Sequence, residues 1–186
     1  MSSRRFDTQL ANLNAPRANN MKLERIFHRL KYLLGSGRSA FSNTEADSVR
    51  KELERGVRSH LGELSLAVER RLPLDAIRQD ISPRERAMRA FSTLHMWDTA
   101  RRNGVLIYVS LPDKAVEIVA DRGIALKTTT EQWEEVCRRM AKLLSIRDCP
   151  EAARQGITMV NRILAEHFPA WEKQQISHNR SHIFVH

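Results

Sequence analysis

The chain has 186 residues and a mass of 21.5 kDa, with 41% hydrophobic and 28% charged residues, which excludes an unfolded chain and suits one domain of about 150 residues with tails. Lys and Arg number 31 against 22 Asp and Glu, a net charge of +9, and the two cysteines, Cys137 and Cys149, are too few for a disulfide-built fold. The longest nearly unbroken apolar stretch, Val105–Leu111, is far short of the roughly 18 residues of a transmembrane segment, and the N-terminus lacks the apolar region of a secretory signal, so the chain reads as soluble and cytoplasmic.

Residues 1–20 are polar and without period, and read as a disordered tail. Residues 21–37 read as a basic amphipathic helix with its glycine stop. Leu23, Ile26, Phe27, Leu30, Leu33 and Leu34 share one face, Lys22, Arg25, His28, Arg29 and Lys31 the other, and Gly35 and Gly37 end it. Residues 1–44 hold eight Lys/Arg and two Asp/Glu, so six of the nine net charges lie here. Such a helix either meets an anionic surface or packs its apolar face on the domain; packing is expected, because short helices gain stability from tertiary burial. Its cations are not interleaved with stacking aromatics, so there is no specific nucleic-acid motif.

A domain is expected over 41–169. Ser42 and Glu45 stand at capping-box spacing before the stripe Ala46, Val49, Leu53, Val57, which predicts a helix to about His60. The period then drops to two over Gly62–Glu69, with Leu64, Leu66 and Val68 on one side of a strand and Ser65, Ala67 and Glu69 on the other. Arg70–Ile81 reads as a connection. Ser82-Pro83-Arg84-Glu85 starts another helix, continued by Ala87, Met88, Phe91 and Leu94. Asn103-Gly104 turns into Val105–Val109, apolar at every position and so a strand covered on both faces. Pro112-Asp113-Lys114 makes a hairpin into Val116–Ala120, which Arg122-Gly123 breaks. Two more helices follow, from Thr129 or Thr130 and from Pro150, the first burying Trp133, Val136, Cys137 and Met140, the second Ala153, Ile157, Val160 and Leu164. Residues 170–186 read as a C-terminal tail ending in the β-prone Ile183-Phe184-Val185. The first two strands are joined through a helix, so they are expected parallel with a right-handed crossover. The fold class is α/β: helices on both faces of a small mixed sheet, an α/β/α sandwich.

Phosphate loops, G-x-G-x-x-G, H-E-x-x-H, C-x-x-C and G-x-S-x-G are absent. Cys137 reads as core and Cys149 as a helix-start position. His178, His182 and His186 would align on a helix as metal ligands, but the β-prone residues among them favour a loose polar tail. A hairpin sets the end of its second strand beside the start of its first, so Asp98, Asn103 and Asp121 are expected at one sheet end with Arg122 beside them. Two readings stay open. Asp98 and Asp121 could ligate a hard cation at the 2.3–2.6 Å of calcium, or Arg101, Arg102 and Arg122 could hold a phosphate; alternatively, the acids cap turns and pair with these arginines. Ligands of α/β sheets usually sit at the carboxyl ends of parallel strands, which here carry Glu69 and Asp113. The first end is preferred because it gathers more polar side chains and because the Asn103-Gly104 turn presents backbone N–H groups.

The stretches HLGELSLAVE (His60–Glu69), RAMRAFSTLHMWDTARRNGVLIYVSLPDKAVEIVADRGI and TEQWEEVCRRM (Thr130–Met140) resemble the TPM-domain family over about Phe41–Pro169. The resemblance implies an α/β/α sandwich, and either weak acid phosphatase activity, calcium binding or a role in assembly and repair. Arg101, Arg102, Lys127 and Thr128–Thr130 stand in loops that are acidic in calcium-binding relatives, which favours an anion-tolerant pocket. No nucleophile with a paired base accompanies Asp98 and Asp121, so a non-enzymatic binding or assembly module with a protein partner is expected, without a cofactor. A weak phosphatase is the alternative.

Overall fold

Ser42 caps the first helix as its spacing requires. Its Oγ accepts from the Glu45 amide at 3.3 Å, and the Glu45 carboxylate accepts from the Ser42 amide at 2.6 Å. In the computed structural model, which describes residues 40–99, 101–146, 148–170 and 182–185, this helix is α1 (Asn43–Ser59). It is followed by β1 (Glu63–Glu69), α2 (Leu74–Arg78), α3 (Pro83–Thr93), β2 (Gly104–Ser110), β3 (Ala115–Ala120), α4 (Arg122–Ala125), α5 (Thr130–Ser145), α6 (Cys149–His167) and β4 (His182–Val185). The tail and basic helix expected over residues 1–37 lie outside the described residues.

The sheet order is β3-β2-β1-β4. β1 and β2 run parallel from Glu63 opposite Gly104 to Glu69 opposite Ser110, and β2 and β3 form the expected antiparallel hairpin. α1, α5 and α6 cover one face, where Val49, Leu53, Val136, Met140, Ile157 and Leu164 close on Leu64, Leu66, Val68 and Ile107. α3 covers the other, where Ala87 and Phe91 close on Ala67, Leu106, Tyr108 and Val119. Both faces of β1 and β2 are therefore buried, and the fold is the α/β/α sandwich. No described helix is long and apolar enough to cross a membrane.

The structure departs from the sequence reading in four places. Residues 182–185 are a strand, paired parallel with Ser65–Val68 of β1. The break after β3 is a short helix, because Asp121 accepts from the Arg122 amide and caps it. The 70–81 connection holds α2. Met88, grouped with Ala87, Phe91 and Leu94 among the residues that continue α3, is 49% exposed while Ala87 and Phe91 are buried. On the outer edge of β3, Arg84 Nη1 donates to the Ile118 carbonyl at 2.7 Å and so occupies one backbone acceptor of that edge.

Candidate functional site

The amino end of the sheet gathers most of the residues that the hairpin argument placed there. Asn103 is buried, and its backbone N–H donates to Thr99 Oγ1 at 2.9 Å. Its Nδ2 donates to the Leu61 carbonyl at 2.8 Å, and its own carbonyl accepts from the Glu63 amide at 3.1 Å. Asn103 thus ties the loop before β2 to the start of β1. The Asp121 amide donates to the Gly104 carbonyl at 2.8 Å, which joins the end of β3 to the start of β2. Asp121 Oδ1 accepts from the Arg122 amide at 2.7 Å, while Oδ2 is buried with no hydrogen-bond partner among the described residues. Asp98 lies in the same loop with its side chain exposed, and Arg122 is exposed on α4. Among the described residues no group of three His, Cys, Asp or Glu is placed to hold a metal. Asp121 Oδ2 is an oxygen that a cation would satisfy; Arg101, Arg102 and Arg122 on the same edge oppose one.

The carboxyl end of the parallel strands is built differently. Glu69 and Ser110 are neighbours in register as the last residues of β1 and β2. Arg86, from the first turns of α3, reaches over both. Its Nε donates to Glu69 Oε2 at 3.0 Å and to Tyr108 Oη at 3.4 Å. Its Nη2 donates to Ser110 Oγ at 3.1 Å and to Asp113 Oδ2, and its Nη1 donates to the Ile81 carbonyl. Ser110 Oγ lies 3.1 Å from Glu69 Oε2 and 3.0 Å from Asp113 Oδ2. Arg86 is 6%, Glu69 8%, Tyr108 4% and Ser110 0% exposed, so this network is dry.

Burial pulls the Arg86 pKa down, but Glu69, Tyr108 and Asp113 outweigh it and hold the guanidinium above its ordinary value. Burial, reinforced by Glu69, pushes the Tyr108 hydroxyl well above its usual range. The thiols of Cys137 and Cys149 are both pushed up to about 12, chiefly by burial, so neither is a ready nucleophile.

The hairpin argument reached Asn103 and Asp121, and the parallel-strand rule reached Glu69 and Asp113. Arg86, Tyr108 and Ser110 were missed. The signal for Arg86 was its position in the stripe Arg86, Ala87, Ala90, Phe91, Leu94, where a buried apolar residue belongs.

A family model described as the TPM domain matches residues 37–163. No curated protein matches the chain. Among solved structures, the BA42 protein of the psychrophilic bacterium Bizionia argentinensis is similar at 25% identity over 76% of this chain and 94% of that one, with a TM-score of 0.64. The N-terminal domain of the cg2496 protein of Corynebacterium glutamicum shares the fold, at 11% identity over 75% of this chain and 82% of that one, with a TM-score of 0.51.

Proposed function

The chain belongs to the TPM-domain family, and we propose that its domain is a non-enzymatic binding and assembly module. One observation carries this reading. At the carboxyl end of the parallel strands, where an α/β enzyme presents its reacting groups, the carboxylates, the serine and the tyrosine are buried around Arg86 and bonded to it. A carboxylate held by a buried guanidinium is a poor general base, and a serine whose neighbouring carboxylates, Glu69 and Asp113, are both held that way is a poor nucleophile. The partner in this reading is a protein, and the basic segment over residues 21–37 adds contact with an anionic surface. Two free thiols suit a reducing, cytoplasmic setting.

The alternative is a weak phosphatase at the amino end. Asp121 Oδ2, buried and without a hydrogen-bond partner among the described residues, favours it, with Arg101, Arg102 and Arg122 to receive the phosphate. Calcium bound through Asp98 and Asp121 is the other ligand of that edge. A phosphatase assay with a nitrophenyl phosphate ester separates the readings. Turnover no higher than the blank is expected; turnover abolished by Asp121→Asn would overturn the module reading. Calcium titration followed by amide shifts tests the cation. Shifts at Asp98, Asn103 and Asp121 would place it there, and none at millimolar calcium would leave these residues as turn caps.

A further inference from the structure

We propose that the amino edge of the sheet docks on an anionic lipid surface; this deepens the binding-module reading and rests on it. Backbone approaches build the edge. After α3 the chain turns at His95, left-handed at φ 53°, and lays the Met96 carbonyl against the α-carbon of Gly104. The Gly123 amide donates to the Arg102 carbonyl at 2.9 Å, and a β-carbon on Gly123 would stand 2.5 Å from that oxygen and 2.7 Å from the Arg101 carbonyl. With Asp121 bonded to Gly104, residues 95–99 and 101–103 and α4 form one rim. It carries Trp97, Arg101, Arg102, Arg122, Leu126 and Lys127.

Two of these are apolar and stand in water. Trp97 is 54% and Leu126 81% exposed, although Ile124, two residues before Leu126, is fully buried and already anchors α4. Trp97 is braced by His95, with ring centroids 6.1 Å apart at 58°. Both side chains project from turns. A protein partner must supply a fitted pocket for each projecting side chain, whereas a bilayer interface receives them without one. Trp settles at headgroup depth, Leu enters the acyl boundary, and arginines bond headgroup phosphates. Charge agrees with this occupant. Arg101, Arg102, Arg122 and Lys127 stand against Asp98 and Asp121. One Asp121 oxygen is already bonded to the Arg122 amide. Lys127 lies 4.4 Å over the Phe168 ring, which holds its ammonium at this edge.

The test is co-sedimentation of the full chain with vesicles of phosphatidylcholine alone and of phosphatidylcholine mixed with phosphatidylglycerol. Binding to the mixed vesicles only is expected, weakening between roughly 50 and 200 mM salt. Trp97→Ala with Leu126→Ala should lower partitioning about tenfold or more, and Arg102→Glu with Arg122→Glu should lower it as well. All four positions are exposed, so an unchanged thermal midpoint is expected and verifies folding. Lys22→Glu with Arg25→Glu separates the rim from the basic segment. If that pair removes binding while the rim variants leave it unchanged, the inference is overturned. It is equally overturned if vesicles are ignored while polyglutamate binds and Trp97→Ala weakens that binding, which would make the rim a protein dock. Failure with vesicles leaves the module reading standing, because only phosphate-ester turnover sinks that.

Discussion

Arg86 is a cation in a place that α3 would ordinarily give to an apolar side chain. Removing it takes from the buried Glu69 the guanidinium it is paired with, and breaks the ion pair to Asp113 as well. Arg86→Met should therefore cost about 3–5 kcal/mol, read from the urea midpoint. Tyr108→Phe loses the long hydrogen bond from Arg86 and the hydroxyl's interaction with Glu69, and should cost about 1–2 kcal/mol. Tyr108 also sets a pH limit. Its folded pKa is raised, so above the ordinary tyrosine value of about 10 the unfolded chain ionises while the folded one stays protonated, and stability falls as pH rises. Unfolding curves from pH 8 to 11 should show that fall, and Tyr108→Phe should flatten it.

At the scale of elements, glycines mark where backbones meet. A β-carbon on Gly104 would collide with the Met96 carbonyl, a backbone atom that cannot swing away. A β-carbon on Gly156 would meet the flexible end of Met140 instead. Gly104→Ala should therefore lose about 1–3 kcal/mol. Gly156→Ala should come out near neutral, because the helix-propensity gain of about 1 kcal/mol offsets the shift of Met140. Thermal unfolding of the two variants side by side checks the contrast. Gly56 serves the same purpose between α1 and α6, where Asn161 packs against it and Asn161 Oδ1 lies 3.0 Å from Nε2 of the buried His60.

For the whole molecule, β4 matters beyond its four residues. It pairs with the edge of β1 that would otherwise present Ser65–Val68 as unpaired backbone beside a buried apolar strand. Deleting residues 182–186 should lower stability and produce concentration-dependent association through that edge. Light scattering over a concentration series measures the association. An unchanged, monodisperse chain would show that β1 is protected by other means.

Ser42 with Glu45, Ser82 with Pro83, the period of two in β1 and the unbroken apolar run of β2 made most of the sandwich legible. Each is a local signal, because caps and side-chain alternation are properties of consecutive residues. The crossover rule then supplied the parallel pairing, and the hairpin brought Asn103 and Asp121 to one edge. The Arg86 network was not legible, because its partners lie 17, 22, 24 and 27 residues away in sequence and meet only when α3 lies across the ends of β1 and β2. The β tendency of Ile183-Phe184-Val185 was legible, but that 182–185 pairs with β1 was not, for a related reason. Four residues seldom form a strand by their own propensity, and these do so because β1 offers them an open edge that only the assembled sheet creates.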